Sequence, residues 1–316
     1  MKQKRLGGLC AAAIFLLCAL MTGFYLIAGY GAYLDSDMAS ELALASHLAK
    51  EGALISSTWA YSTEVRVLST QLVFTPLMAL FPHNWRLVRT LGCLILQAAL
   101  AASAYFCGRS LGARKRFALL FAGLSISVCS VVYAQMITIG AYYVPHAVLT
   151  SLYVGLTARL MTERKHGRRR GILALLIALS VLMGASSIRY LFCATIPAAA
   201  AGVWAYLFPA GNESAPREWK DKVGFLLTLT GLAFSVGGFL IGQKILPKIC
   251  DYDAARYGGV RLSAFTSADM PEMMQQALGG LARLMGYSEG SVLLSVHGLA
   301  SVGALLLPAA AAILTG

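Results

Sequence analysis

Apolar residues run along this chain in unbroken blocks, and most blocks reach the roughly 17 to 25 residues that a helix needs to cross a hydrocarbon core. The pattern predicts spans near 8 to 32, 87 to 107, 117 to 134, 143 to 161, 171 to 188, 190 to 208, 223 to 246 and 291 to 314. Two intervening segments, 33 to 86 and 247 to 290, are too long to be simple connections, and loops of that length carry their own structure or a function. In the first, Met38, Leu42, Ala45 and Ala49 form one stripe with Leu44 and Leu48 beside it, which predicts an amphipathic helix from Ser36 to Gly52 lying on the membrane surface. A second surface helix is expected from Ser62 or Thr63 through Val65, Leu68, Leu72 and Val73 towards Pro76. The second long segment predicts a short helix from Met270 to Met285, started by Pro271. The fold class read from this pattern is an all-α polytopic membrane protein of about eight transmembrane helices, with amphipathic surface helices in the first extracytoplasmic loop. No repeat or low-complexity linker divides it, so residues 1–316 read as a single membrane domain.

Composition agrees: 58% of residues are hydrophobic, 13% are charged, and the mean hydropathy is +0.69, which leaves too little polar surface to solvate a globule of this size. The net charge of +12 does not indicate nucleic acid, because it is dispersed between spans. Lys2, Lys4 and Arg5 precede the first span, Arg109, Arg114, Lys115 and Arg116 follow the second, Arg164, Lys165, Arg168, Arg169 and Arg170 follow the fourth, and Arg217, Lys220 and Lys222 follow the sixth. All fall on one side if the amino terminus is cytoplasmic, which places the two long segments outside a multi-pass protein of the cytoplasmic membrane. The first apolar block is too long for the h-region of a signal peptide. Cys250 alone of the seven cysteines faces outward, so no disulfide framework is implied. The last apolar run ends at Leu314-Thr315-Gly316 without a basic cluster, the pattern of a fragment or of a chain that stops at the membrane.

Every Asp and Glu lies outside the cores of these spans, which argues against a proton-driven transporter. His146 and His297 lie inside spans, where a lone histidine reads as a packed helix residue. Chemistry that needs a carboxylate therefore belongs at the outer interface, where Asp35, Asp37 and Glu41 form the nearest acidic cluster. Asp37 and Glu41 share a helix face, and Asp35 stands where it can cap free N–H groups; helix capping alone would account for all three. Outward cations at membrane depth are Arg189, Arg66, Lys244 and Lys248, and the planar fork of arginine suits phosphate oxygens best. Snorkelling towards lipid headgroups explains the same cations without a site. Arg86 and Arg89, at the start of the second span, read as interfacial anchors, and Trp59, Tyr61, Tyr142 and Tyr143 as belt aromatics or sugar-stacking rings.

Four features together resemble the GT-C superfamily of membrane glycosyltransferases. They are the first span followed at once by Tyr33-Leu34-Asp35-Ser36-Asp37, the surface helix through Glu41, the stretch Tyr61-Ser62-Thr63-Glu64-Val65-Arg66, and the outer hairpin Ser186-Ser187-Ile188-Arg189-Tyr190-Leu191. The likeness is to bacterial members related to protein O-mannosyltransferases and aminoarabinose transferases, and it covers the amino-terminal two thirds. It implies transfer of a sugar from a polyprenyl-phosphate donor to an extracytoplasmic acceptor (a glycan, a lipid or a protein), with a catalytic Asp at the start of the first-loop helix. The matching positions are Asp35 and Asp37. Expected substrate and phosphate contacts are Arg66, Arg189, Glu41, Tyr61 and Lys244, and paired carboxylates beside a phosphate ester are compatible with Mg or Mn, on which family members differ. Membrane lipid is an expected partner and nucleic acid is not. The alternatives are a transporter or lipid flippase, and a non-catalytic lipid-binding protein of the same fold.

Overall fold

The computed structural model describes residues 2–29, 31, 34–61, 65, 67–128, 130–163, 165–207, 219–251, 271, 274–276 and 278–280. The expected span 291 to 314, Arg66 and His297 lie outside the described residues. Among those described, regular structure is entirely helical. Its elements are α1 (Lys2–Ala28), α2 (Ser36–Glu51), α3 (Gln71–Leu80), α4 (Trp85–Ser110), α5 (Lys115–Ile126), α6 (Val131–Tyr133), α7 (Val144–Thr162), α8 (His166–Ser186), α9 (Ile196–Leu207) and α10 (Trp219–Ile249). A π-helix, Ala134–Ile139, continues α6, and another, Leu191–Thr195, leads into α9.

Four described helical segments are long and apolar enough to cross a membrane: Leu6–Ala28, Trp85–Ser110, His166–Ser186 and Leu226–Ile249. A fifth results if α5 and the α6 segment, bent by 86° at a short break, count as one broken span. The expected 117 to 134 span is therefore interrupted, and 190 to 208 is a π-turn followed by a short helix. The helices form a row in which α1 packs on α5, α5 on α4, α4 on α7, α7 on α8, and α8 on α10. In the α4 span 56% of the apolar window is buried, against 22% in α1, so α4 is the central helix and α1 is left with most of its side chains turned outward. Leucines along α1, such as Leu9, Leu16 and Leu20, are exposed, the arrangement that suits a helix able to cross a membrane.

Close crossings use small residues, as helix packing without a hydrophobic drive in lipid requires. A Cβ on Gly184 of α8 would overlap the Ser235 carbonyl of α10, and one on Gly238 of α10 would overlap the Val181 carbonyl. Backbone cannot rotate away as a side chain can. Gly184→Ala is therefore expected to destabilise the bundle by about 1–3 kcal/mol, measured as thermal unfolding in detergent, whereas Gly171→Ala, which meets open space, should be neutral.

The first loop is built as expected in its first half only. Helix α2 starts with Asp35 as N-cap, its side chain accepting from the Met38 amide at 2.8 Å, and stops at Gly52, whose φ of 65° is the left-handed conformation that ends helices. Its apolar stripe does not lie on lipid. Met38, Leu42 and Ala45 are buried in one core with Phe74 and Met78 of α3 and Val88 and Cys93 of α4. The second helix begins at Gln71, not near Ser62, and carries Pro76 inside it. Val65 lies before it in irregular chain, buried against Tyr61 and Leu246 instead of on a helical stripe. Residues 271, 274–276 and 278–280 of the expected 270 to 285 helix are helical. Every described cysteine is a free thiol.

Candidate functional site

Helix α2, the loop that follows it, the start of α3, the π-helix with the residues just after it, and the turn after α8 meet around a cavity of about 510 Å³. Asp35, Asp37, Glu41, Tyr61 and Arg189 all line it, together with Gln135, Tyr142 and Tyr143. Leu44, Leu48, Leu54, Ile55 and Trp59 give the same cavity an apolar side. Lys244 is exposed on α10 and is not part of the lining.

Asp35 accepts from three donors. Besides capping α2, its Oδ1 accepts from the Tyr142 hydroxyl at 2.7 Å, and its Oδ2 accepts from Gln135 Nε2 at 3.3 Å. Burial by itself would raise its pKa, but the bonds from Tyr142, the Met38 amide and Gln135, with the nearby charge of Arg89, outweigh it and hold the carboxyl below the ordinary 3.8. Asp35 is thus ionised throughout the neutral range. Tyr142 shows the reciprocal effect: burial first, then the bond to ionised Asp35, raise its pKa well above that of free tyrosine, so it remains a donor. Asp37 is exposed in the first turn of α2.

Two of the residues that hold this geometry, Gln135 and Tyr142, come from an irregular stretch of backbone. The π-helix ends at Ile139, the Gly140 amide bonds back to the Gln135 carbonyl at 2.9 Å, and Ala141 has a φ of 58°, which a residue with a side chain rarely adopts. A helix end leaves carbonyls without partners, and inside a bundle each must be satisfied. Helix α4 supplies the donors from three residues four apart on one face. Arg89 donates to Ile139 O from Nε at 3.1 Å and Nη2 at 2.9 Å and to Gly140 O at 2.6 Å, Cys93 Sγ donates to Ile139 O at 3.2 Å, and Gln97 Nε2 donates to Ile137 O at 2.6 Å.

Arg89 is fully buried, not an interfacial anchor. Its Nη1 pairs with Glu41 Oε2 at 2.8 Å, and the guanidinium carbon stands 5.1 Å from the centre of the Phe74 ring. Glu41 in turn accepts a short hydrogen bond from Thr70 Oγ1, and its backbone carbonyl accepts from Gln71 Nε2 at 2.9 Å. Glu41 therefore serves as the counter-ion that lets an arginine sit inside the bundle and as the tie between α2 and the start of α3. The polar series Arg89, Cys93, Gln97 at a spacing of four in an otherwise apolar helix was the available signal for a buried polar face.

Arg189, also on the lining, follows the end of α8, its amide donating to Ser187 Oγ at 3.1 Å and its guanidinium carbon 5.6 Å from the centre of the Tyr143 ring. His146 packs beneath, stacked on Tyr190 at 4.6 Å, as a lone histidine in a span was expected to pack. Ser186 Oγ accepts the Leu68 amide at 2.9 Å and so joins the first loop to α8. Tyr61 turns its hydroxyl to the Ser56 amide at 3.0 Å, a bond that shapes the loop. His47 Nε2 lies 3.0 Å from both Ser56 Oγ and Glu51 Oε1 and 2.9 Å from Thr58 Oγ1, which pins the segment carrying Leu54, Ile55 and Trp59 to α2.

Asp35 and Glu41 commit oxygens to protein donors, and among the described residues no three His, Cys, Asp or Glu side chains converge. Set against known proteins, the chain matches no protein-family model, no curated protein and no solved structure.

Proposed function

We propose that the protein is an integral membrane glycosyltransferase of the GT-C type, transferring a sugar from a polyprenyl-phosphate donor to an extracytoplasmic acceptor. The observation that carries the reading is one cavity bounded by ionised Asp35, by Asp37 and by Arg189, with an apolar side formed by Leu44, Leu48, Leu54, Ile55 and Trp59. Transfer from a lipid phosphate needs a base for the acceptor hydroxyl and a cation for the phosphate that departs. In this reading the acceptor oxygen forms a bond to the anomeric carbon as the bond from that carbon to the phosphate oxygen breaks. The hydroxyl proton passes to Asp35, whose Oδ2 has only the long bond from Gln135, and polyprenyl phosphate leaves towards Arg189. Asp37, exposed on the first turn, orients the acceptor. The same reading places the amino terminus in the cytoplasm, the cavity outside the cytoplasmic membrane, and eight spans in the whole chain.

Asp35 also has every bond that a purely structural helix cap would have, which favours the lipid-binding alternative as the second reading. Protein reconstituted in liposomes and supplied with polyprenyl-phosphate sugars separates the two. The enzyme consumes donor and releases polyprenyl phosphate in the presence of an acceptor extract; a binding protein crosslinks to a photoreactive polyprenyl-phosphate probe and consumes nothing. Undiminished donor consumption in both Asp35→Asn and Asp37→Asn would overturn the assignment of the site.

A further inference from the structure

At the other end of the bundle a second cavity, of about 560 Å³, opens between the last turn of α7 and the first turns of α8. Arg159, Thr162 and Glu163 line it from the first helix and the turn after it, and Arg168, Ile172 and Leu175 from the second. Nothing in the proposed transfer reaction uses it. Arg159 is held in place: its guanidinium carbon stands 4.6 Å from the centre of the Phe106 ring, and Nε donates to Ser110 Oγ at 3.2 Å. The remaining guanidinium donors are the pair suited to two oxygens of a phosphate. Among the described residues Glu163 is the one carboxylate on the lining, and its Oε1 accepts the Lys165 amide at 3.0 Å. Lys165, Arg169 and Arg170 neighbour these residues in the chain and add positive charge to the same segment.

The apolar part of the lining decides between a soluble anion and a lipid. Leu175 is 55% exposed on a helix long and apolar enough to span a membrane, so the cavity runs from arginines at the helix start directly onto a surface that faces acyl chains. We infer that this cavity is a headgroup site for an anionic phospholipid, with Arg159 and Arg168 on the phosphodiester, Thr162 beside it, and Ile172 and Leu175 along the first methylenes of a chain. The binding rests on charge complementarity and on the polar-to-apolar order of the lining, and it is independent of the glycosyltransferase reading.

The test is native mass spectrometry of full-length protein extracted from nanodiscs of phosphatidylcholine and phosphatidylglycerol. Wild type should retain phosphatidylglycerol over phosphatidylcholine, and Arg159→Gln with Arg168→Gln should reduce that preference on the order of tenfold, given the usual contribution of a cation near a membrane surface. Arg168→Gln alone, which leaves the Phe106 and Ser110 contacts intact, should give a partial loss even if the double variant is poorly folded. Arg169→Gln with Arg170→Gln should keep most of the preference, and excess inorganic phosphate should not displace the lipid. An unchanged preference in the Arg168 variant, an equal loss in the Arg169 and Arg170 variant, or displacement by phosphate at equal potency would each overturn the proposal.

Discussion

Asp35→Asn is expected to lower kcat for sugar transfer by roughly 10²–10⁴, the usual contribution of a positioned general base, with donor binding unchanged. The substitution is informative because Asn is as good an N-cap as Asp. The amide oxygen can still accept from the Met38 amide or from Tyr142, so α2 keeps its start and the cavity its wall. What disappears is the negative charge and the basic lone pair. Asp35→Ala would instead add the loss of a cap, about 1 kcal/mol, and confuse the two effects. Asp37→Asn should cost less than Asp35→Asn, since Asp37 is exposed and would act on the acceptor's orientation.

A pH profile adds a sign that a structural role would not give. The folded-state pKa of Asp35 is depressed, so the stabilisation tied to its ionised form is present above the ordinary carboxyl pKa of 3.8 and is lost as pH falls through the lower folded value. The acid limb of activity should accordingly lie below pH 3.8 in the wild type. Tyr142→Phe removes a bond that favours the charged form, and the acid limb should move upward. An acid limb that stays in place would show that Asp35 is not the group being titrated.

Arg89→Met should be the most damaging single substitution for stability, costing about 3–5 kcal/mol, as removing one partner of a buried pair does. The loss has two sources. Glu41 would be left partly buried without its cation, the Gly140 carbonyl would lose its Arg89 donor and the Ile139 carbonyl would keep only the weak one from Cys93, at the point where Ala141 already holds an unfavourable φ. Arg89→Lys should recover little, because a single ammonium cannot span Glu41 and two successive carbonyls as a planar fork does. Glu41→Gln should cost less, since the amide oxygen can still accept from Arg89 or Thr70. Thermal unfolding in detergent gives the ranking, and equal losses for the Arg89 and Glu41 variants would contradict it. Because the same backbone carries Gln135 and Tyr142, residual folded Arg89→Met should also show the raised acid limb expected of Tyr142→Phe.

Local chain chemistry was enough to identify several pieces of this molecule. A 16-residue amphipathic helix capped by Asp35 and closed by Gly52, and the grouping of Asp35, Asp37 and Arg189 at the ends of apolar helices, can be read from side-chain period, capping preference and charge placement. Each of these depends on residues a few positions apart, or on where charges fall relative to apolar runs.

Three features were beyond that reading. The stripe of α2 packs on α3 and α4, because periodicity shows that a face is apolar but does not say whether lipid or protein covers it. The bend between Lys115–Ile126 and Val131–Ile139 and the π-helix in the second of these interrupt an apolar run whose composition suits an unbroken span, since a helix can depart from regularity wherever a neighbour satisfies the freed carbonyls. That neighbour is the Arg89, Cys93 and Gln97 face of α4, about 40 to 50 residues away in the chain. Arg89 belongs inside only because Glu41 and these carbonyls converge on it, a condition set by three distant segments meeting, whereas the cap on α2 needed only its own turn.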